Sequence, residues 1–228
     1  MTARIGAVWF DVGGVLIDET AMFERWAACL KVAFTELMAE LRCAMSIDEH
    51  HSVIFERLRP GFDVARLRRD HPFCAADLFA DVRPCLAALG RAGIGVGVAG
   101  NQPDGAVAAL EALGLAVDWI GSSHAWGVAK PSPAYFARLI AESGMPAHAI
   151  VHVGDRVDND ILPARAAGLR TVFLARGPWG EAHRDRPGAA LATHRILSLD
   201  QLPARLCAEA PVTSSPLARG RATAILRR

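Results

Sequence analysis

The chain has 228 residues, 52% of them hydrophobic and 21% charged, with a net charge of +1. That length supports one good core, or a core carrying a small inserted unit. A near-neutral balance provides no field for gathering a polyanion, and no apolar run approaches a membrane span, so neither a nucleic-acid nor a membrane partner is expected.

The N-terminus runs straight into an apolar strand at residues 5–10, without the ordered regions of a signal peptide, and a cytoplasmic location is expected. From Met22 to Arg42, apolar residues recur at helical spacing (Phe23, Trp26, Leu30, Phe34, Leu37, Leu41), with Asp18, Glu19 and Thr20 as capping candidates. Further helices are read over Ile47–Leu58, Val64–Arg69 and Ala75–Phe79, broken by Pro60-Gly61. Residues 17–80 therefore read as an all-helical insert.

Helix and strand then alternate. Helices are expected over Val82–Ala92, Asp104–Leu113, Ser132–Gly144 and 159–167, with a last one ending at Leu206. Strands are expected over Gly93–Ala99, Val117–Gly121, Ala149–Val153, 170–174 and His194–Leu197. Strands separated by helices at this spacing predict an α/β core with a parallel sheet, made of residues 1–16 and 81–208. From Glu209 to Arg228 no pattern holds, and a flexible basic tail is expected. The five cysteines are scattered, with no C-x-x-C pair, and read as free thiols.

Chemistry-bearing residues fall just after strands, the edge where open α/β sheets gather their sites. Asp11 follows Phe10. Gly100, Asn101 and Gln102 follow Ala99. Asp155 and Asp160 follow Val153-Gly154. Lys130 stands in a loop at 127–133, one of two lysines in a chain with 23 arginines. Retaining lysine there suits a compact ammonium in a tight anionic pocket. Two acidic strand ends side by side make an oxygen-rich site for a hard cation such as Mg2+.

These stretches, FDVGGVL at 10–16, VAGN at 98–101, AKPSPAYF at 129–136 and VGDRVDNDILPARAAG at 153–168, resemble the motifs of the haloacid dehalogenase superfamily. The resemblance implies a Rossmann-like core and a C1-type helical cap at 17–80. It implies a Mg2+-dependent phosphohydrolase of small phosphorylated metabolites, acting as monomer or homodimer. Asp11 would be the nucleophile forming an aspartyl-phosphate. Lys130 would balance charge, and Gly100, Asn101 and Lys130 would hold phosphate. Mg2+ would be held by Asp11, the Gly13 carbonyl, Asp155 and Asp160, the last holding metal-bound water or orienting Lys130.

Two positions depart from the phosphatase pattern. The general acid–base aspartate two residues after the nucleophile is replaced by Gly13, and the phosphate-gripping hydroxyl of the second motif by Gly100. Loss of a general acid costs about 10²–10⁴-fold in rate, severe for an alkoxide leaving group and mild for an acyl phosphate. The absent hydroxyl removes a hydrogen bond worth about 1.5–3 kcal/mol to an anion. The Asn101 or Gln102 amide could replace it, and Asp18 or Glu19 could replace the acid. A rival reading is a degenerate relative that binds a phosphorylated ligand or partner, or performs non-hydrolytic chemistry. Dehalogenation is less favoured, because no residue like that branch's aromatic follows Asp11.

Other polar and aromatic residues read as structural. Asp158 is taken as a helix N-cap, His152 as core, and the neighbours His50 and His51 as surface residues of the insert. Trp26 and Phe55 read first as helix packing, with a pocket wall, shared with Arg57, as the alternative. Trp126 and Trp179 fall on loops near the active edge, where either could shape a pocket.

Overall fold

The computed structural model describes residues 4–47, 49, 51–70 and 73–207. Strand β1 (Ala7–Phe10) leads to helices α1 (Thr20–Leu30), α2 (Phe34–Ser46), α3 (Val53–Leu58) and α4 (Val64–Asp70). The chain then runs through α5 (Val82–Arg91), β2 (Gly95–Gly100), α6 (Ala106–Ala112), β3 (Trp119–Ser122), α7 (Ser123–Trp126) and α8 (Pro133–Ser143). It closes with β4 (Ile150–Gly154), α9 (Leu162–Ala166), β5 (Arg170–Leu174), α10 (Gly177–His183), β6 (His194–Ile196) and α11 (Leu202–Cys207). The tail read at 209–228 and the site of His50 lie outside the described residues.

The six strands form one parallel sheet in the order β3-β2-β1-β4-β5-β6. This is the Rossmann-like α/β architecture the alternation predicts. β1 alternates its faces: Val8 and Phe10 enter one hydrophobic cluster with Val96, Val98 and Leu86, while Ala7 and Trp9 enter another with Tyr135, Phe136 and Leu139. A strand buried on both faces is a continuous apolar run, which is why residues 5–10 show no polar alternation. The strand order reverses beside β1, and the crevice at such a switch point is where these sheets bind ligands. Phe10 lies opposite Val153, so Asp11 and Asp155 leave the sheet at that crevice together.

Helices α1–α4 bury Phe23, Trp26, Leu30, Leu37, Leu41, Ile54, Phe55 and Leu67 in a second cluster, which Trp179 of α10 joins. The segments that leave and re-enter the sheet pair with each other: Ile17 bridges Leu78, Asp18 N–H donates to the Asp77 carbonyl at 2.7 Å, and Phe79 N–H donates to Leu16 at 3.0 Å.

The long helix read from Met22 to Arg42 is two helices. Lys31 adopts a left-handed conformation (φ 59°) that ends α1, and α2 starts at Phe34. Both helices face the same cluster, so apolar periodicity continues across a break that no glycine or proline marks. The helix read from Ile47 begins only at Val53, and Ile47 is exposed. The stretch 75–79 is a single 3-10 turn over Ala75–Asp77. Helices α7 and α10 were not foreseen. Both are short, and α10 opens on Gly177-Pro178, which reads as a breaker in sequence. All five cysteines are free. No helix among the described residues is long and apolar enough to cross a membrane.

Candidate active site

Asp11 follows β1 directly, its N–H donating to the Val153 carbonyl at 2.9 Å. Asp155 follows β4. Oxygens of Asp11, Asp155 and Asp160 lie within 4.8 Å of one another, all three residues being buried. Two glycines allow this crowding. Gly14 has φ +66°, and a Cβ there would fall 2.2 Å from Asp155 Oδ2. A Cβ on Gly154 would fall 2.3 Å from that of Asp160, which one π-type turn over Val157–Ile161 folds back over the strand end.

Lys130 is 4% exposed, and its Nζ lies 2.8 Å from Asp11 Oδ1 and 2.6 Å from Asp160 Oδ1. Asp160 Oδ1 also meets His152 Nε2 at 3.1 Å, and its Oδ2 accepts from the Arg156 N–H at 3.2 Å. Burial opposes charge on both partners and is outweighed. The Asp11 and Asp160 carboxylates hold the Lys130 ammonium above its ordinary range, and Lys130 and His152 hold Asp160 below the ordinary carboxylate range. The site therefore has a fixed ion pair at its back.

Its front is electrostatically incomplete. Burial raises Asp11, more than Lys130 lowers it. Asp155 stands well above its ordinary value through burial and then the charges of Asp11, Asp160 and Glu19, and its Oδ2 is buried with no hydrogen-bond partner. An orphaned carboxylate oxygen facing other carboxylates, with oxygen donors only, fits a hard divalent cation.

The two glycines that depart from the phosphatase pattern are both closely faced by carboxylates. A Cβ on Gly100 would fall 2.6 Å from Asp11 Oδ1, so a hydroxyl side chain there would displace Asp11. A Cβ on Gly13 would fall 2.7 Å from Glu19 Oε1. Glu19 starts α1, yet its side chain makes no cap to the helix. Burial, then the charges of Asp11 and Asp18, push its carboxyl up to about 8. Asn101 sits beside Lys130, and its amide is engaged by the Lys130 backbone, at 2.8 Å in both directions. The Gln102 backbone bonds to Ser123 Oγ.

A cavity of about 910 Å³ opens over these groups, between the sheet edge and the helices of residues 20–70. Gly13, Glu19, Asn101 and Lys130 line its floor, and Met22, Trp26, His51 and Arg68 its far wall. Arg68 contacts His51 Nε2 at 3.2 Å, has no described carboxylate partner, and is lowered by burial. His51, expected on the surface, thus faces the cavity, and Trp26 both packs and lines it. Phe55 only packs, and Arg57 pairs with Glu40 and Glu49. Trp126 and Trp179, read on loops, stand in α7 and α10, and neither lines the cavity. Trp126 packs on Trp9 and Tyr135, and Trp179 lies 3.6 Å from the Arg156 guanidinium carbon. Asp158, read as a helix cap, instead takes the Arg156 side chain at 3.1 Å. His152 is buried against Phe136, as expected of a core residue, and its Nε2 also joins the lysine–aspartate network.

Parallel-sheet topology, an aspartate after the first strand, a lysine and a second acidic strand end define a hydrolase class. Residues 5–168 match the model of the haloacid dehalogenase-like hydrolases, and the chain belongs to that family. It is 35% identical over 141 residues to haloacid dehalogenase-like hydrolase domain-containing protein 3 of Danio rerio, which covers 60% of this chain and 57% of that one. The chain thus spans little more than half of that relative. It is 33% identical over 199 residues to a phosphoglycolate phosphatase of Yersinia pseudotuberculosis, 78% of this chain and 84% of the relative. The magnesium-bound HAD-hydrolase YfnB of Bacillus subtilis shares the fold, with a TM-score of 0.67 at 18% identity over 90% of this chain and 99% of that one.

Proposed function

We propose that the protein is a Mg2+-dependent phosphohydrolase of a small phosphorylated metabolite, with Asp11 as nucleophile. The observation that carries this reading is the meeting of Asp11, Asp155 and Lys130 at the sheet's switch point, with an unpartnered Asp155 oxygen among them. Asp11, Asp155 and the Gly13 carbonyl would hold the ion. Asp160 adds its charge there, but its oxygens already accept from the Lys130 ammonium and the Arg156 N–H and meet His152 Nε2. The bound ion supplies charge screening between the incoming phosphate and Asp11.

One Asp11 oxygen attacks phosphorus and the bond to the leaving oxygen breaks, leaving phosphate on Asp11. Lys130, fixed as a cation, stabilises the extra negative charge on the transferring group. Backbone N–H groups near Gly100 and Asn101 receive phosphate oxygens. Water then attacks phosphorus and regenerates Asp11. Arg68 and His51 on the far wall suit a substrate bearing a second anionic group. A cytoplasmic setting and a C1-type cap formed by residues 17–80 complete the reading.

The test is hydrolysis of 4-nitrophenyl phosphate and acetyl phosphate, with and without Mg2+, by the native protein and Asp11→Asn. Turnover that needs both ion and Asp11 supports the proposal. A second reading, a binding protein without turnover, draws on the glycines at 13 and 100, and equal background in both proteins would favour it.

A further inference from the structure

The place of the missing general acid is filled from elsewhere in the chain. Residues 12–17 fold into a tight turn: Leu16 N–H donates to the Val12 carbonyl at 2.8 Å, Ile17 N–H to the same oxygen at 3.0 Å, and Gly14 N–H to Ile17 at 3.0 Å. That turn returns position 19 over position 13. Glu19 Oε1 and Oε2 lie 2.7 and 3.1 Å from where a Gly13 Cβ would be. In an aspartate, standard bond lengths put a carboxyl oxygen about 2.4 Å from its Cβ. The Glu19 carboxyl group therefore closes directly on position 13, within about 1 Å of the reach of an aspartate's own, and a side chain at 13 would collide with it.

Three bland roles for Glu19 are closed. It makes no helix cap, and among the described residues none donates a hydrogen bond to its carboxyl group or forms an ion pair with it. Structural carboxylates in enclosed surroundings have such partners. Glu19 instead lines the cavity floor beside Gly13, Asn101 and Lys130.

We infer that Glu19 is the acid–base residue of this site, delivered from the start of α1 in exchange for the absent side chain at Gly13. The inference rests on the phosphoryl transfer to Asp11 proposed above. In the first step the Asp11–phosphorus bond forms, the phosphorus–oxygen bond to the leaving group breaks, and the Glu19 carboxyl proton passes to the departing oxygen. In the second the Glu19 carboxylate takes a proton from water as its oxygen attacks phosphorus. The Asp11–phosphorus bond breaks, inorganic phosphate leaves, and both residues return to their starting forms.

The experiment compares native protein, Glu19→Gln and Glu19→Asp on acetyl phosphate, 4-nitrophenyl phosphate, phenyl phosphate and glycerol 2-phosphate. Loss of a general acid costs about 10²–10⁴-fold, concentrated on poor leaving groups. For Glu19→Gln, kcat/KM should fall by that factor on glycerol 2-phosphate and less than about tenfold on acetyl phosphate. Phosphorylated Asp11 should accumulate with the good leaving groups, because its hydrolysis lacks the base. Glu19→Asp should recover part of the loss. The double variant Gly13→Asp with Glu19→Ala, which moves the carboxyl group to position 13, should restore turnover of glycerol 2-phosphate even if Glu19→Gln fails to fold. An equal loss on all four substrates without phosphoenzyme, or a weakened Mg2+ affinity by calorimetry that accounts for the loss, would overturn the assignment. Native activity through Asp11 with no effect of Glu19→Gln would overturn Glu19 alone. Undiminished turnover by Asp11→Asn would remove the reading beneath it as well.

Discussion

The Asn101 side chain grips the backbone of Lys130 from both sides, Nδ2 donating to its carbonyl and Oδ1 accepting from its N–H, each at 2.8 Å. The amide thereby fixes the loop that carries the site's lysine, some thirty residues away in sequence.

Replacing Asn101 by alanine should therefore act through Lys130. We expect kcat/KM to drop by about 10²-fold, the scale of a misplaced catalytic group. The loss of two hydrogen bonds should cost about 1–3 kcal/mol of stability. Kinetics and denaturant unfolding of the same variant check both. A loss confined to KM would instead mark Asn101 as a direct ligand of phosphate.

Arg68 should govern affinity rather than rate. Hydrogen bonds to charged groups are worth about 1.5–3 kcal/mol, so Arg68→Ala should raise KM for a phosphate ester that also carries a carboxylate roughly 10- to 100-fold. The change for ethyl phosphate, which lacks a second anion, should stay within about threefold. Steady-state kinetics on the pair of substrates decides.

Asp155 is a buried carboxyl group with an orphaned oxygen, whose charge burial and the neighbouring carboxylates oppose, a cost to the metal-free fold. Asp155→Asn should stabilise the metal-free protein by about 1–3 kcal/mol and abolish the rise in Tm expected when Mg2+ is added to the native protein. Thermal melts with and without Mg2+ measure both effects.

Acid stability should depend on Asp81. Its Oδ2 takes Arg176 Nη1 at 2.6 Å, Ser198 Oγ at 2.8 Å and the Leu199 N–H at 2.8 Å. Burial alone would raise its pKa, but these partners together lower it. A lowered carboxylate adds stability that is complete above its unfolded value, about 3.9, and is lost as pH falls through the lower folded value. Asp81→Asn should cost about 2 kcal/mol at pH 7, and the difference from the native protein should shrink below about pH 4. Urea titrations across pH 3–7 would reveal this.

Much of the architecture was legible because long-range order here follows local pattern. Doubly buried strands read as short apolar runs, and helices between them force a parallel sheet. Asp11, Asp155 and Lys130 were legible because each stands at a strand end or in a loop of marked composition. The break at Lys31 was hidden because an αL lysine carries no compositional mark and both flanking helices bury the same face. Glu19, Asn101 and His152 were harder for a different reason. Their roles depend on which groups the fold brings within 3 Å of them, and a sequence does not show that Gly13 leaves a gap that Glu19 enters.

The most direct measurement of the central claim is mass analysis of the Asp11 peptide after rapid quenching of the native protein with acetyl phosphate and Mg2+. A phosphoryl group on Asp11 that is absent without Mg2+, and absent in Asp155→Asn, is the predicted result. Hydrolysis that proceeds with Asp11 unmodified at every quench time, or a phosphoryl group on another residue, would contradict the account.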